Sequence, residues 1–154
     1  MNIFYLDKSV VKCAKYHNDK HVVKMILETA QLLCGAHWAT GGEAPYKLSH
    51  KNHPCAIWVR QSSSNYAWLC KLGRQLCLEY TKRYNKFHKT SDIITWCADN
   101  IPNIPDNGFT EPPLAMPEHC KIANSAILSY RNYYITEKRG FSTWKNQNPP
   151  SWFK

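Results

Sequence analysis

The stretch YHNDKHVVKMILE, residues 16 to 28, carries two histidines, two lysines, an aspartate and a glutamate within a helical apolar pattern. Seven residues turn a helix by about 700°, so His21 and Glu28 lie within about 20° of each other on one face. A carboxylate near a histidine and lysines can act as a base, or stabilise the oxocarbenium cation that develops during glycosidic cleavage. The alternative is a surface glutamate that only pairs with Lys24, one turn earlier.

Basic residues recur in two further places. The segment SHKNHPCAIWVR, residues 49 to 60, lies at a loop-to-helix junction, where unpaired backbone N–H groups favour phosphate, and contains Lys51, Asn52, His53 and Arg60. On the predicted last helix, Arg131, Tyr134 and Lys138 share one face. These clusters predict contacts with phosphates; the alternative is a set of scattered, solvated charges.

The composition favours a polyanionic partner. Among 154 residues, 20 Lys and Arg against 11 Asp and Glu give a formal charge of +9, which suits nucleic acid, nucleotides or an acidic membrane surface. Six Trp, nine Tyr and five Phe suit stacking on flipped or single-stranded bases. No apolar run approaches the roughly 20 residues that span a bilayer. The start, MNIFYLDKSVVK, does not resemble a signal peptide, so we expect a cytoplasmic location, in the host cell if the protein is viral.

The seven cysteines form no CxxC pair, and without a secretory signal they are typical of reduced, mostly buried thiols. Their spacing argues against a zinc site. His17 with His21, and His50 with His53, leave a histidine-based metal site open. Our prediction is nevertheless that the protein holds no metal and no cofactor.

Capping residues and apolar spacing predict the elements that position these residues. Ser9 can cap a short helix through about Tyr16, and Asn18 or Asp19 a longer one to about Trp38. The apolar face of that second helix comprises Val22, Val23, Ile26, Leu27, Ala30 and Leu33. Pro54 fits the first turn of a third helix, and SSSN at 62 to 65 separates it from a fourth.

The second half of the chain is predicted to be less regular. Ser91 or Asp92 starts a minor helix, and residues 100 to 117 hold five of the nine prolines and form a loop. A last helix runs from about residue 124 to 139, followed by an aromatic, basic tail at 141–154. We therefore predict a mainly α, compact single domain over 1–154, with four to five helices and long irregular loops. Helical spacing places these residues in its core: Val22, Ile26, Leu33, Leu69, Leu72 and Leu76.

At this point the sequence resembles a known family. DKHVVKMILETAQLL, residues 19 to 33, is similar to the pyrimidine-dimer DNA glycosylases of the phage endonuclease V type, with Asp19, His21 and Glu28 on the signature positions. KNHP, residues 51 to 54, resembles the matching segment of bacterial relatives, and YRNYYITEKRGFSTWK, residues 130 to 145, the final helix of the family. The sequence as a whole also resembles small proteins of phages and large viruses.

The resemblance implies a helical, metal-free enzyme that breaks the N-glycosidic bond at a pyrimidine dimer and then nicks the abasic site. It implies that Glu28 assists the glycosyl step, that an N-terminal amine attacks C1′ to give an imine, and that basic residues grip a kinked duplex. The chain departs from the pattern in two ways. Asn2 is large for the residue exposed by methionine removal, so the candidate amine is that of Met1. Leu27 and Gln31 stand near Glu28 where the family has arginines.

Two interpretations follow. The first is a DNA glycosylase, with abasic-site lyase activity, acting on a modified or damaged base. The second is a non-catalytic viral protein that sequesters a host nucleotide signal; a DNA-binding accessory without a small-molecule pocket is a third. The predicted catalytic residues are Glu28, His21 and the Met1 amine. The residues predicted to bind DNA or a phosphate-bearing nucleotide are His17, Lys20, Lys24, Lys51, Asn52, His53, Arg60, Arg131, Tyr134 and Lys138. The sequence predicts no membrane partner and gives no oligomeric state.

Overall fold

Six α-helices make up the regular structure of this chain. The computed structural model describes all residues, 1–154, and contains α1 Val10–Tyr16, α2 Asp19–Ala39, α3 Pro54–Gln61, α4 Ser63–Tyr84, α5 Ser91–Asp99 and α6 Ala126–Glu137. Two 3-10 helices, Glu118–Cys120 and Arg139–Phe141, flank α6, and there is no β-strand. The predicted mainly α fold class is confirmed, with six helices in place of four to five.

The helix starts follow the predicted caps. The Ser9 hydroxyl accepts the Lys12 N–H at 3.3 Å, and the Asn18 side chain accepts the His21 N–H at 2.8 Å. Pro54 occupies the first turn of α3 as predicted. The last helix is shorter than the predicted 124 to 139. Asn124 has a φ of 63°, in the left-handed region, so the cap falls on Ser125 and α6 ends at Glu137.

The core forms around α2 and α4. Helix α2 packs against α3, α4 and α5, and α1 packs against α4. All six predicted core residues are buried. Gly73 allows the close approach of three helices, because a Cβ there would lie 3.1 Å from Ile94 and 3.2 Å from Thr29. The predicted apolar face of α2 is too broad, since Val23 and Leu27 lie on its solvent side.

The N-terminal segment threads through this core without forming a helix. Residues Ile3 to Leu6 are all buried. The irregular loop 100–117, predicted from its prolines, lies against this segment: the Asn2 side-chain amide donates to the Ala115 carbonyl at 3.1 Å. All seven cysteines are free, and six are buried, as expected of reduced thiols. None of the helices has the length and apolar character needed to cross a bilayer.

Arg83 locks α4 to the α1–α2 junction from a buried position. Its guanidinium donates to the Asp19 carboxylate at 3.0 Å, to Glu79 at 3.1 Å, and to the carbonyls of His17 and Lys15 at 2.9 and 3.0 Å. A buried charge with this many partners is expensive to remove, because its partners are left unpaired.

We expect Arg83→Met to lower the free energy of unfolding by about 3–5 kcal/mol, since two carboxylates and two carbonyls lose their donor. Urea denaturation followed by circular dichroism measures this. Lys82→Met, at the exposed neighbouring position, is the control and should change stability by less than about 0.5 kcal/mol. A similar, small loss in both variants would contradict the assigned role of Arg83.

Candidate active site

The N-terminus of the chain lies against the glutamate that the sequence singled out. The Met1 ammonium is 3.1 Å from Glu28 Oε1, and the Asn2 backbone N–H donates to the same oxygen at 3.0 Å. The extended, buried segment that follows and the Asn2 bond to Ala115 hold this end of the chain in place. One carboxylate oxygen therefore contacts both of the first two backbone nitrogens.

Glu28 is a buried carboxylate with a complete set of partners. Only 8% of the residue is exposed. Its second oxygen, Oε2, lies 3.7 Å from Lys24 Nζ, whose side chain is 70% exposed. The ion pair with Lys24 therefore exists, but the interpretation of Glu28 as a surface residue with no other contact is wrong. Oε1 therefore contacts the buried N-terminus, and Oε2 contacts a lysine that is exposed to solvent.

His53, at the start of α3, lies close enough to the N-terminal ammonium and Glu28 for both charges to affect its pKa. Its Nδ1 accepts the Cys55 N–H at 3.0 Å, which makes it the cap of the helix. Burial lowers the pKa of His53, the N-terminal ammonium and His50 lower it further, and Glu28 acts in the opposite direction. The pKa of the buried Cys55 thiol is raised by burial to about 11, so this cysteine stays a thiol near neutral pH.

His21 lies on the same helix but faces α6. The Asn18 N–H donates to the Tyr134 oxygen at 3.3 Å, and the Tyr134 hydroxyl is hydrogen-bonded to His21 Nδ1, 2.6 Å away. The His21 ring stacks on Phe4 with centroids 4.2 Å apart. Burial, with smaller effects from His17 and two lysines, lowers its pKa to about 2. His21 is a neutral, buried group without a hydrogen bond to Glu28, and its predicted catalytic role stays a prediction.

The predicted binding residues divide into an inward and an outward group. Arg131 donates to the Leu6 carbonyl at 2.9 Å and to Asp7 at 3.1 Å, and Arg60 to the Lys51 carbonyl at 2.8 Å. His17 and Tyr134 are fully buried.

The other predicted binding residues lie nearer the surface. Lys138 is half-buried, with Nζ 4.8 Å from the centre of the Tyr133 ring. The exposed members are Lys20, Lys24, Lys51 and Asn52. Of these, Lys24 also pairs with Glu28, and Lys20 Nζ lies 4.9 Å from the centre of the Phe141 ring.

Two contacts at the site were not predicted from the sequence. Asp19, the first signature residue, accepts the Thr143 hydroxyl at 2.8 Å and the Lys145 N–H at 2.9 Å, so it anchors the tail to the start of α2. The Asn2 backbone N–H binds Glu28 regardless of its side chain, so no residue type could have indicated it. Only the position of Asp19 in the first turn of a helix offered a signal, namely that of a capping carboxylate.

One group of side chains could hold a metal ion. Ligand atoms of His119, Cys120 and Glu137 lie within 4.8 Å of one another. His119 already pairs with Glu137, and the Cys120 thiol is 3.3 Å from the Thr136 hydroxyl. In the pair His17 and His21, which the sequence left open as a metal site, His17 Nδ1 is hydrogen-bonded to the Cys13 carbonyl at 2.6 Å. The prediction that the protein binds no metal stays a prediction.

The fold and the site define a class of helical protein in which a buried carboxylate contacts the N-terminal amine of the chain. The comparison with family models identifies the family. The model described as pyrimidine dimer DNA glycosylase matches residues 1–92, so the chain belongs to this family. The match includes Met1, Glu28 and His53 and stops within α5. No curated protein and no solved structure matches the chain. The resemblance of residues 130 to 145 lies outside the matched range.

The buried histidines generate a pH prediction. Burial lowers the pKa of His17 to about 4, and His21 is lowered further, so both stay neutral when folded but bind a proton in the unfolded chain below about 6.5. Their contribution to stability is therefore complete above that pH and is lost as the pH falls. Between about pH 7 and 5 we expect the free energy of unfolding to drop by about 2 kcal/mol for each.

Urea denaturation at the two pH values measures this loss. His21→Gln should remove about half of the pH-dependent loss attributed to the two histidines, whatever it does to stability at neutral pH. His50→Gln, at an exposed position, is the control and should leave the pH dependence as in the parent protein. An unchanged pH dependence in His21→Gln would contradict the assignment.

Proposed function

We propose that the protein is a DNA N-glycosylase with abasic-site lyase activity that acts on a pyrimidine dimer or a related damaged base. The observation that supports this most strongly is the position of the N-terminal ammonium, 3.1 Å from Glu28 Oε1. Covalent catalysis by an amine needs a base within hydrogen-bond reach to take its proton. Membership of the glycosylase family supports the class of reaction.

In the proposed reaction Glu28 accepts a proton from the ammonium, and the freed lone pair attacks C1′ of the damaged nucleotide. The C1′–N bond breaks and its electron pair leaves with the base. The base takes up the proton that Glu28 had accepted, so Glu28 is again a carboxylate. The positive charge that develops on the sugar faces the Glu28 carboxylate, which stabilises it. The sugar ring then opens to an imine, a C2′ proton is removed, and β-elimination expels the 3′ phosphate. Water finally releases the amine.

Both possible amines have access to the same carboxylate oxygen. If Met1 is retained, its ammonium is the nucleophile. If Met1 is removed, the new amine is the Asn2 nitrogen, which lies 3.0 Å from Glu28 Oε1. The Asn2 side-chain amide donates to the Ala115 carbonyl at 3.1 Å, and this bond can hold the nucleophile in position. The departure of Asn2 from the family pattern is therefore compatible with amine chemistry.

We propose that DNA meets the exposed lysines beside Glu28. Lys20 and Lys24 project from the solvent side of α2, and Lys51 with Asn52 lies in the loop before α3. A formal charge of +9 strengthens attraction to the phosphate backbone. His21 and Tyr134, which face inward, act as positioning residues for α2 in this proposal. Arg131 and Arg60 hold the backbone that frames the site.

A second candidate is nucleotide binding without catalysis. It is favoured by a cavity of about 510 Å³ lined by three aromatic side chains, Tyr5, Trp68 and Phe109, and by Lys8 and Glu111. Aromatic walls suit a nucleobase, and a lysine suits its phosphate. Tyr5 is three residues from Asn2, so the cavity lies along the same N-terminal segment. This reading corresponds to a protein, viral or otherwise, that sequesters a nucleotide signal.

Glu28→Gln separates the two candidates. It keeps the shape and a hydrogen-bond acceptor but removes the base and the negative charge, so cleavage of thymine-dimer DNA should fall by a factor of about 100 or more. Borohydride trapping on the same DNA should fall in parallel. Affinity for the DNA should change little.

Glu43→Gln, in the exposed loop after α2, is the control and should retain full activity. Intact-mass measurement and peptide mapping of the borohydride adduct identify the amine as that of Met1 or Asn2. Wild-type protein that cleaves and traps no damaged DNA, but binds a mononucleotide, would replace the glycosylase proposal with the second candidate.

The exposed lysines generate a second prediction. Changing Lys20 and Lys51 together to Gln should weaken DNA binding across all sequences and reduce the slope of log affinity against log salt by about two, because two phosphate contacts are lost. Filter binding or fluorescence anisotropy at several salt concentrations gives the slope. Lys71→Gln, on the exposed side of α4, is the control. Equal slopes for the parent and the double variant would show that Lys20 and Lys51 do not contact DNA phosphates, and would contradict the proposed DNA-binding surface.

A further inference from the structure

The most exposed large apolar side chain of the protein lies in the loop between α4 and α5, residues 85–90. Phe87 is 85% exposed, compared with 62% for Leu78. It is flanked by Lys86 and Lys89, both exposed. An aromatic ring held in water between two cations has no role in the core, since the loop contributes only Thr90 to the buried residues.

The residues on either side of Phe87 are fixed. Asn85 ends α4 in the left-handed conformation and its N–H bonds the Thr81 carbonyl at 2.8 Å. His88 Nδ1 accepts the Thr90 N–H at 3.1 Å, so its Nε2 carries the proton and donates to the Val23 carbonyl at 3.1 Å. The His88 ring also packs edge-on against Tyr80, with centroids 4.8 Å apart. The loop therefore presents Phe87 from a rigid base.

The same contacts place the loop beside the candidate active site. Val23, whose carbonyl binds His88, is the neighbour of Lys24, and Lys24 Nζ lies 3.7 Å from Glu28. Lys20 and Lys24 both lie on the exposed side of α2, the helix that carries Val23 and Glu28. Phe87 is therefore exposed on a surface that also carries four lysines, Lys20, Lys24, Lys86 and Lys89.

We infer that Phe87 is a wedge that inserts between stacked bases of duplex DNA next to the site of Glu28; this inference rests on the proposed DNA glycosylase function. Apolar side chains that enter a base step unstack it and kink the duplex, and flanking cations bind the adjacent phosphates. A rigid loop loses little conformational freedom on insertion, so most of the ring's burial contributes to affinity. The kink exposes the damaged nucleotide to the amine and Glu28.

The test uses a duplex with a tetrahydrofuran abasic analogue, which offers no C1′ substituent for imine formation, and 2-aminopurine in the neighbouring steps. We expect wild-type protein to raise 2-aminopurine fluorescence by unstacking the base. Phe87→Ala should abolish this rise and weaken affinity about tenfold. Phe87→Trp should restore both, with quenching of the new indole. Leu78→Ala, which removes another exposed apolar side chain, should behave as wild type.

Several outcomes would overturn the inference. If Phe87→Ala matches wild type in affinity and fluorescence while wild type cleaves thymine-dimer DNA, the wedge is wrong and the glycosylase proposal stands. Weaker affinity with an unchanged 2-aminopurine signal would place Phe87 on the DNA surface, not between bases. Loss of binding to phosphatidylserine vesicles in Phe87→Ala, with DNA binding unchanged, would assign the loop to a membrane surface. Wild-type protein that binds no duplex removes both proposals.

Discussion

The contact between the Glu28 carboxylate and the first two backbone nitrogens is the constraint on which the rest of the site depends. A buried carboxylate is destabilising unless it is paired and hydrogen-bonded. Here the Met1 ammonium, the Asn2 N–H and Lys24 provide that pairing. The N-terminal segment must therefore run through the core to reach α2, and the loop containing Ala115 must hold it there.

A second set of buried polar groups fixes the helix that carries Glu28. The Asn18 N–H, the Tyr134 hydroxyl and His21 Nδ1 form a chain of hydrogen bonds from α2 to α6. Asp19 and Arg83 extend it to α4 and to the tail. The orientation of α2 is thus set by polar contacts at its first turn and by apolar packing along the rest of its length. Residues outside the matched family range complete this network.

Much of the fold could be predicted from sequence because its signals are local. Ser9, Asn18 and Pro54 mark helix starts through interactions within one turn, and apolar spacing identified the core around Ile26 and Leu72. The site was harder. His21 and Glu28 were correctly placed on one helix, but their partners come from distant parts of the chain. Arg131 has the residue type of a phosphate ligand, yet the fold turns it toward Leu6 and Asp7.

The arrangement of partners around Glu28 also suits the order of the proposed reaction. When the amine leaves Oε1 to attack the sugar, the carboxylate keeps the Asn2 N–H if Met1 is the nucleophile, and keeps Lys24 in either case. It is therefore not left as an unpaired buried charge, which would be costly. The amine is then bound to C1′ and the proton that Glu28 accepted has left with the base, so the carboxylate is ionised when positive charge develops on the sugar. The interaction that stabilises the resting protein is in this way exchanged for one that stabilises the transition state.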